Sequence, residues 1–89
     1  MAVDKNMSIL IVDDYKTMLR IIKNLLKQLD FHQVDEATDG EKALERLKSK
    51  KYGLVISDWN MEPMSGLELI KNVRGNEGVN QNIPFIMVT

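Results

Sequence analysis

The sequence predicts an α/β fold, a doubly wound parallel sheet with the element order βαβαβαβ and the strand order 2-1-3-4. Short runs of consecutive apolar residues, typical of strands buried on both faces, alternate with segments of helical periodicity. Such alternation indicates a parallel sheet with helices across its faces. Two of the runs, residues 8–12 and 54–57, continue directly into aspartates, at the strand ends where open α/β sheets bind ligands.

A helix follows the first strand, which is predicted at residues 8–12. Residues 16–29 carry apolar side chains at steps of three and four, the spacing of one helical face. The predicted buried side chains are Met18, Ile22, Leu25 and Leu29, with Leu19 and Leu26 beside them. The polar side carries a basic stripe, which is predicted to be a solvated face, with partner docking as the alternative. Its members are Lys16, Arg20, Lys23 and Lys27.

The second strand and the second helix follow. Residues 33–37 are short and mostly polar, which suits an edge strand better than a central one. Thr38 and Glu41 have the spacing of a capping box, in which a Thr at the helix start and a Glu three residues later satisfy each other's backbone groups. We therefore expect a helix that begins at this box and buries Ala43, Leu44 and Leu47.

The third strand is predicted at residues 54–58, and a third helix runs from about residue 65 to 74. The side chains expected to be buried in that helix are Leu67, Ile70 and Val73. Residues 84–89 form a fourth apolar strand. The polar second strand belongs at an edge, and strands 1 and 3 are the most apolar, which together give the order 2-1-3-4.

The predicted site lies at the carboxyl ends of strands 1 and 3. The chain reverses direction between these neighbouring strands, and open α/β sheets bind ligands in the crevice at such a point. Asp13 and Asp14 follow strand 1 and Asp58 ends strand 3, so three carboxylates are expected to converge there. Thr89 ends the neighbouring strand 4. Asp13 and Asp14 could instead only cap the first helix, since Asp is a favoured N-cap residue.

Three converging carboxylates predict a divalent cation. Two unit charges ~5 Å apart at an effective dielectric of ~20 repel by roughly 3 kcal/mol, and a hard cation relieves that repulsion. Few carboxylates, with backbone oxygen and water, suit Mg²⁺. One carboxylate would remain free to accept a phosphoryl group, whose oxygens Mg²⁺ neutralises. The loop amides after Asp58 and the hydroxyl of Thr89 would donate hydrogen bonds to the same oxygens.

Composition excludes several other classes of protein. The 89 residues are 44% hydrophobic and 28% charged, which is ordinary for one small globular domain. A net charge of −1 gives no indication of a nucleic-acid or anionic-membrane binder. The absence of cysteine excludes disulfides and thiolate metal sites. No apolar run has the length of a signal-peptide core or a membrane span, so the predicted location is cytoplasmic.

Four motifs at matching distances carry a family resemblance. They are Ile11-Val12-Asp13-Asp14, Val55-Ile56-Ser57-Asp58-Trp59-Asn60-Met61, Met64-Ser65-Gly66-Leu67-Glu68-Leu69 and Met87-Val88-Thr89. Together they resemble the receiver domain of bacterial two-component response regulators, most closely the single-domain chemotaxis (CheY-like) type. The resemblance covers essentially the whole chain and implies a flavodoxin-like fold.

The resemblance implies a role for each site residue. Asp58 would be the phosphoacceptor, and Asp13, Asp14 and Asp58 would hold Mg²⁺ together with the backbone carbonyl of Asn60. Thr89 would be the hydroxyl that follows the phosphoryl group and starts the conformational switch. A histidine kinase would be the phosphodonor, and a protein such as the flagellar motor switch would be the downstream target.

Two departures from the family pattern affect these expectations. The usual Met-Pro after the acceptor is replaced by Met61-Glu62-Pro63, which places Glu62 beside the site. The family's fourth helix, fifth strand and fifth helix, with the lysine that pairs with the phosphoryl group, have no counterpart in the 89 residues. We therefore expect a single receiver domain over residues 1–89 that lacks its last helix-strand-helix portion, binds Mg²⁺ and is phosphorylated poorly.

Two other functions are compatible with the sequence. Four strands need more cover than a single helix provides on one face, so the chain could self-associate through its uncovered sheet and act only as an assembly module. A haloacid-dehalogenase-like phosphatase also uses an Asp nucleophile and Mg²⁺. That chemistry needs a general acid two residues after the nucleophile, where Asn60 cannot exchange a proton as a carboxylic acid does. The sequence therefore favours a phosphoacceptor over a turnover enzyme.

Overall fold

Four parallel strands form an open sheet with helices on both faces. The computed structural model describes residues 5–62, 64–75, 78 and 80–88. Its elements are β1 (Ile9–Val12), α1 (Lys16–Gln28), β2 (Val34–Ala37), α2 (Gly40–Ser49), β3 (Leu54–Asp58), α3 (Gly66–Gly75) and β4 (Phe85–Val88). The strand order is β2-β1-β3-β4 and every pairing is parallel. The predicted fold class, element order and strand order are confirmed.

The core has two layers because successive side chains of a strand point to opposite faces of the sheet. Ile9 and Ile11 of β1 pack against α1, whereas Leu10 and Val12 belong to the layer under α2 and α3. All four residues of β1 are buried. β2 is the predicted edge strand, and its only buried residue is Ala37. No helix within the described residues is both long and apolar enough to cross a bilayer.

The buried face of α1 differs from the predicted one. Leu19 and Leu26 are buried, whereas Leu25 is 54% and Leu29 is 61% exposed. The helix contacts β1 and β2, so its buried stripe is narrow and the flank that points away from β2 stays in solvent. The basic stripe lies on the opposite flank and is exposed, as expected.

The capping box lies on α3 and not on α2, where it was predicted. The N-cap of α2 is Asp39, whose carboxylate accepts a hydrogen bond from the backbone N–H of Lys42 at 2.8 Å. A carboxylate here also complements the positive end of the helix dipole, which explains why it replaces Thr38 as the cap. On α3, the Ser65 hydroxyl oxygen accepts from the Glu68 N–H at 3.1 Å, and the Glu68 carboxylate accepts from Ser65 in return.

The buried side chains of α3 also differ in part from the prediction. Gly66, Leu69 and Val73 are buried, at steps of three and four, whereas Leu67 is exposed. The helix begins with Gly66 packed against the end of β3, and that contact sets its rotation. The predicted face is therefore displaced by less than one residue around the helix, and Val73 belongs to both the predicted and the observed face.

Asn80 is a buried polar side chain that joins three parts of the chain. Its Oδ1 accepts a hydrogen bond from the backbone N–H of Tyr52 at 2.9 Å. Its Nδ2 donates to the carbonyl oxygens of Leu47 at 2.7 Å and Lys50 at 2.6 Å. These bonds satisfy peptide groups at the end of α2 and before β3, which would be costly to bury without partners. Asn80 thus fixes the connection between α2 and β3.

A second polar pair lies at the amino-terminal end of the sheet. The Tyr52 hydroxyl donates a hydrogen bond to Asp35 Oδ2 at 2.6 Å, and Lys50 Nζ lies 3.0 Å from the same oxygen. The hydrogen bond from Tyr52 lowers the pKa of the Asp35 carboxyl. Burial, reinforced by the nearby carboxylate, raises the pKa of Tyr52 to about 12. The pair is therefore most favourable with Asp35 ionised and Tyr52 protonated.

Replacing Tyr52 by Phe is expected to destabilise the protein in a pH-dependent way. The lowered pKa of Asp35 means that its contribution is present above the unfolded value of about 3.9 and is lost as pH falls through the folded pKa. The raised pKa of Tyr52 means that its contribution is present below about 10 and is lost as pH rises through about 12. Urea unfolding of the wild type and the Tyr52→Phe variant should therefore differ most near neutral pH.

The matched control is Tyr15→Phe, because Tyr15 is exposed. This variant should unfold like the wild type across the whole range. A stability difference for Tyr52→Phe that stayed constant between about pH 7 and about pH 3 would contradict the assigned hydrogen bond.

Part of the apolar sheet face is uncovered on the side of α1. Ile56 pairs with Ile86, and their side chains point to the same face as those of Ile9 and Ile11. Ile86 is 50% exposed, because α1 lies over β1 and β2. The predicted lack of helix cover on one face of the sheet is thus observed at this position, and self-association through it stays a prediction.

Candidate functional site

The site is built where β1 and β3 end side by side. Val12 pairs with Ser57, so Asp13 and Asp58 leave the sheet at the same edge and at the same level. Asp13, Asp14 and Asp58 each offer a carboxylate oxygen, and these oxygens all lie within 4.8 Å of one another. The convergence predicted from the sequence is observed.

Asp13 is the most buried of the three carboxylates, with 6% of its surface exposed. Burial raises the pKa of its carboxyl, and the neighbouring Asp58 and Asp14 raise it further. A hydrogen bond that Asp13 Oδ1 accepts from the Tyr15 N–H at 2.9 Å acts in the opposite direction. Negative charge is thus concentrated in a partly desolvated place, an arrangement that favours a bound cation.

The alternative role for Asp13 and Asp14, as caps of α1, is not observed. The N-cap of α1 is Tyr15, whose own side chain makes no capping hydrogen bond. Asp13 bonds to the N–H of the cap residue itself, two positions along the chain, and so closes a local turn before the helix. Its second oxygen remains available to the site.

Two backbone hydrogen bonds hold the loop after β3, one to β4 and one to the start of α3. The Trp59 N–H donates to the Val88 carbonyl on β4 at 3.0 Å, and the Trp59 carbonyl accepts from the Gly66 N–H at 3.0 Å. The Asn60 N–H lies 3.4 Å from Asp58 Oδ1. The loop therefore presents a backbone donor to the Asp58 carboxylate from a fixed position.

A shallow depression opens beside the carboxylates. Its lining residues are Asp14, Asn60, Met61, Glu62 and Ser65. Glu62 is exposed and belongs to this lining, which agrees with its expected place beside the site. Thr89 lies outside the described residues. Its neighbour Val88 pairs with Asp58, so β4 ends next to the site.

Gly66 supports the site, although no role was predicted for it from the sequence. A Cβ at this position would overlap the backbone carbonyl oxygen of Asp58 and approach Met87 Sδ to 3.0 Å. The start of α3 can therefore approach the end of β3 only because residue 66 has no side chain. The signal available in the sequence was the position of a glycine directly after a helix-capping serine.

Ser57 is a second residue that sequence reasoning left without a role. It is fully buried at the end of β3, and its hydroxyl donates to the Asp58 carbonyl at 3.0 Å. Gly66 and Ser57 thus contact the same peptide oxygen of Asp58 from two sides. The backbone that carries the Asp58 carboxylate is restrained by both.

Comparisons with known proteins agree with this geometry. The profile of the response regulator receiver domain family matches residues 9–89. Chemotaxis protein CheY-3 of Vibrio cholerae serotype O1 is 49% identical over 86 residues, which cover 97% of this chain and 65% of that protein. Chemotaxis protein CheY of Pseudomonas aeruginosa is 48% identical over 83 residues, which cover 93% of this chain and 66% of that protein.

A solved structure gives the same result for the fold. The chemotaxis response regulator CheY4 of Vibrio cholerae superposes with a TM-score of 0.84 at 29% sequence identity, covering 92% of this chain and 67% of that one. The present chain thus spans 65% and 66% of the length of the two curated relatives.

Proposed function

The chain belongs to the response regulator receiver domain family, and we propose that it is a phosphoacceptor signalling module of a two-component system. Asp58 accepts a phosphoryl group from a histidine kinase, and phosphorylation changes the affinity of the domain for a downstream protein. The observation that carries this proposal is the convergence of Asp13, Asp14 and Asp58 within 4.8 Å at the carboxyl edge of the sheet. Residues 1–89 form one domain in this proposal.

The donor set fits a hard divalent cation. Asp13, Asp14 and Asp58, with the backbone carbonyl of Asn60, would hold Mg²⁺ through oxygen atoms alone, which is the chemistry that this ion prefers. The raised pKa of Asp13 supports this, because burial and then the neighbouring carboxylates of Asp58 and Asp14 disfavour its charged form, which a cation would stabilise. When bound, the ion would neutralise charge on a phosphoryl group beside it.

Residues of the chain itself carry out the transfer of the phosphoryl group. A carboxylate oxygen of Asp58 attacks the phosphorus of a phosphohistidine, so that a P–O bond forms and the P–N bond breaks, and the imidazole leaves with a proton from solvent. The N–H of Asn60, 3.4 Å from Asp58 Oδ1, is placed to donate to the transferred group. Thr89 supplies the hydroxyl that follows the phosphoryl group.

The role of Asn60 separates this function from that of a phosphatase. An amide two residues after the nucleophile cannot act as a general acid and base, so the acyl phosphate formed on Asp58 persists. The similarity to chemotaxis proteins supports a cytoplasmic role in chemotaxis, with the flagellar motor switch as the kind of target that the domain would address.

The test is incubation with Mg²⁺ and a small-molecule phosphodonor such as acetyl phosphate, followed by intact-mass spectrometry. We expect slow incorporation, because the chain is expected to be phosphorylated poorly, and we expect it to stop at one phosphoryl group per chain. Continuous release of phosphate over many turnovers would favour a phosphatase. No incorporation at any Mg²⁺ concentration would contradict the proposal and favour the assembly module.

Mg²⁺ binding is expected to change the fluorescence of Trp59, which adjoins Asp58 and is partly exposed. The change should be saturable in the wild type. Asp14→Asn should weaken the apparent affinity at least about tenfold, because it removes one ligand oxygen charge. Glu45→Gln removes one exposed charge on α2, outside the carboxylate cluster and the lining of the site, and should titrate like the wild type. An unsaturable or absent response in the wild type would contradict the metal site.

A second function, assembly through the uncovered sheet, is favoured by one observation. Ile86 on β4 and Leu25 and Leu29 on α1 are exposed on the same side of the sheet. Sedimentation of the chain over a range of concentrations separates the two proposals, because a phosphoacceptor does not require an oligomer. Replacement of Ile86 by Lys should abolish any association that depends on this face.

A further inference from the structure

Two adjoining depressions form a groove between α1 and β2 along the open edge of the sheet. Its upper part is lined by Lys16, Leu19, Arg20, Lys23, Glu36 and Thr38. Its lower part is lined by Lys23, Lys27, Phe31, His32 and Val34. Lys23 belongs to both parts, so they are adjacent. The groove therefore contains the whole basic stripe and extends over the length of α1.

The basic stripe is not neutralised within the described part of the chain. All four of its side chains are exposed, and none makes a salt bridge or a side-chain hydrogen bond there. Other cations do find partners, since Lys5 pairs with Asp30 and Lys50 pairs with Asp35. Among the lining residues, Glu36 is the one acid. The groove is therefore positive although the chain has a net charge of −1.

The other wall of the groove is β2, which exposes backbone N–H and C=O groups along its outer edge. Within the described sheet β2 pairs with β1 alone, so the outer backbone donors and acceptors of residues 34–37 have no strand partner. An open edge of this kind can take an additional strand from another chain. Asp35 would repel an acidic strand, but its side chain lies on the face of the sheet opposite to α1. There it is bonded to Tyr52 and Lys50.

We propose that this groove binds an extended, acidic segment of a partner protein. The carboxylates of the segment meet the basic stripe, and its backbone pairs with β2. A helix of 13 residues is about 20 Å long, which matches an extended segment of about six residues.

A peptide fits better than a nucleic acid for two reasons. A sugar-phosphate backbone offers no complement to the peptide groups of an edge strand. Phe31 is the one aromatic ring other than His32 in the lining, whereas strands of nucleic acid bind along rows of aromatic side chains.

The experiment uses the full chain and a fluorescent peptide of about seven residues in which Glu alternates with Val. The control peptide has Gln in place of every Glu, and an oligodeoxythymidylate serves as the third probe. Fluorescence anisotropy gives affinities at low and high salt, and amide NMR spectra locate the bound peptide. We expect the Glu peptide to bind most tightly, to weaken with salt, and to shift the amide signals of residues 34–37.

Two charge-reversal variants make the test specific. Arg20→Glu combined with Lys23→Glu should weaken binding of the Glu peptide about tenfold. Lys48→Glu combined with Lys71→Glu makes the same change of charge on exposed positions of α2 and α3 and should leave the affinity within about twofold. Circular dichroism confirms that both variants fold.

Five outcomes would overturn the proposal. They are no binding of the Glu peptide to the wild type, binding of the Gln peptide as tight as that of the Glu peptide, an equal loss in both double variants, binding of the oligodeoxythymidylate as tight as that of the Glu peptide, and bound peptide that leaves the signals of residues 34–37 unshifted. The charge of the probe, the site on α1 and the strand edge are thus tested separately.

Discussion

Replacing Asp58 by asparagine is expected to reduce phosphoryl incorporation to background, at least about a hundredfold below the wild type. The amide has nearly the shape of the carboxylate but lacks its nucleophilic oxygen. Its remaining oxygen can still accept from the Asn60 N–H, so the loop should keep its place. Removing one of three neighbouring charges should also leave the free energy of unfolding unchanged or slightly raised.

Intact-mass spectrometry after incubation with acetyl phosphate measures this effect. Glu45→Gln is the control, because it removes one carboxylate on the exposed surface of α2 and should be phosphorylated like the wild type. Incorporation into Asp58→Asn at the wild-type level would show that another side chain is the acceptor. Peptide mapping of the product would then identify it.

Replacing Gly66 by alanine is expected to lower the free energy of unfolding by about 3 kcal/mol. The added Cβ would overlap the carbonyl oxygen of Asp58, which is backbone and cannot move as a flexible side chain does. Either α3 moves away from β3 or the end of β3 shifts. Both changes break the hydrogen bond from the Gly66 N–H to the Trp59 carbonyl, so Mg²⁺ affinity should fall together with stability.

Urea unfolding measures the stability difference, with Gly75→Ala as the matched control on the same helix. A Cβ at Gly75 meets nothing within 4 Å, and no described glycine has a positive φ. Gly75→Ala should therefore leave stability unchanged or raise it by up to about 1 kcal/mol. Equal stabilities of the two variants would contradict the tight approach of α3 to β3.

The features predicted correctly from the sequence are those that leave a local pattern. Consecutive apolar residues at 9–12 identify β1, which is buried on both faces, and polar residues in β2 identify an edge. The apolar run at 54–56 identifies β3, although burial on both faces was wrong there because Leu54 and Ile56 are only partly buried. The order of the strands follows from these patterns. Because the carboxyl ends of parallel neighbours share one edge of the sheet, the meeting of Asp13 with Asp58 follows as well.

Features that depend on neighbours in space could not be predicted in this way. Periodicity identified α1 as a helix, but the exposure of Leu25 and Leu29 depends on which strands the helix covers. The choice of Asp39 over Thr38 as the cap of α2 depends on the residue at which the helix begins, and the spacing of Thr38 and Glu41 does not encode that residue. The roles of Gly66 and Asn80 depend on partners that are distant in the sequence.

Asn80 also has a consequence for the order in which the chain acquires its structure during synthesis. Its partners Leu47, Lys50 and Tyr52 precede it by 33, 30 and 28 residues. When β3 has left the ribosome, the peptide groups at its start are therefore still hydrated. The connection between α2 and β3 should be completed only when the loop before β4 arrives, and the Tyr52 amide should be among the last to gain protection from hydrogen exchange.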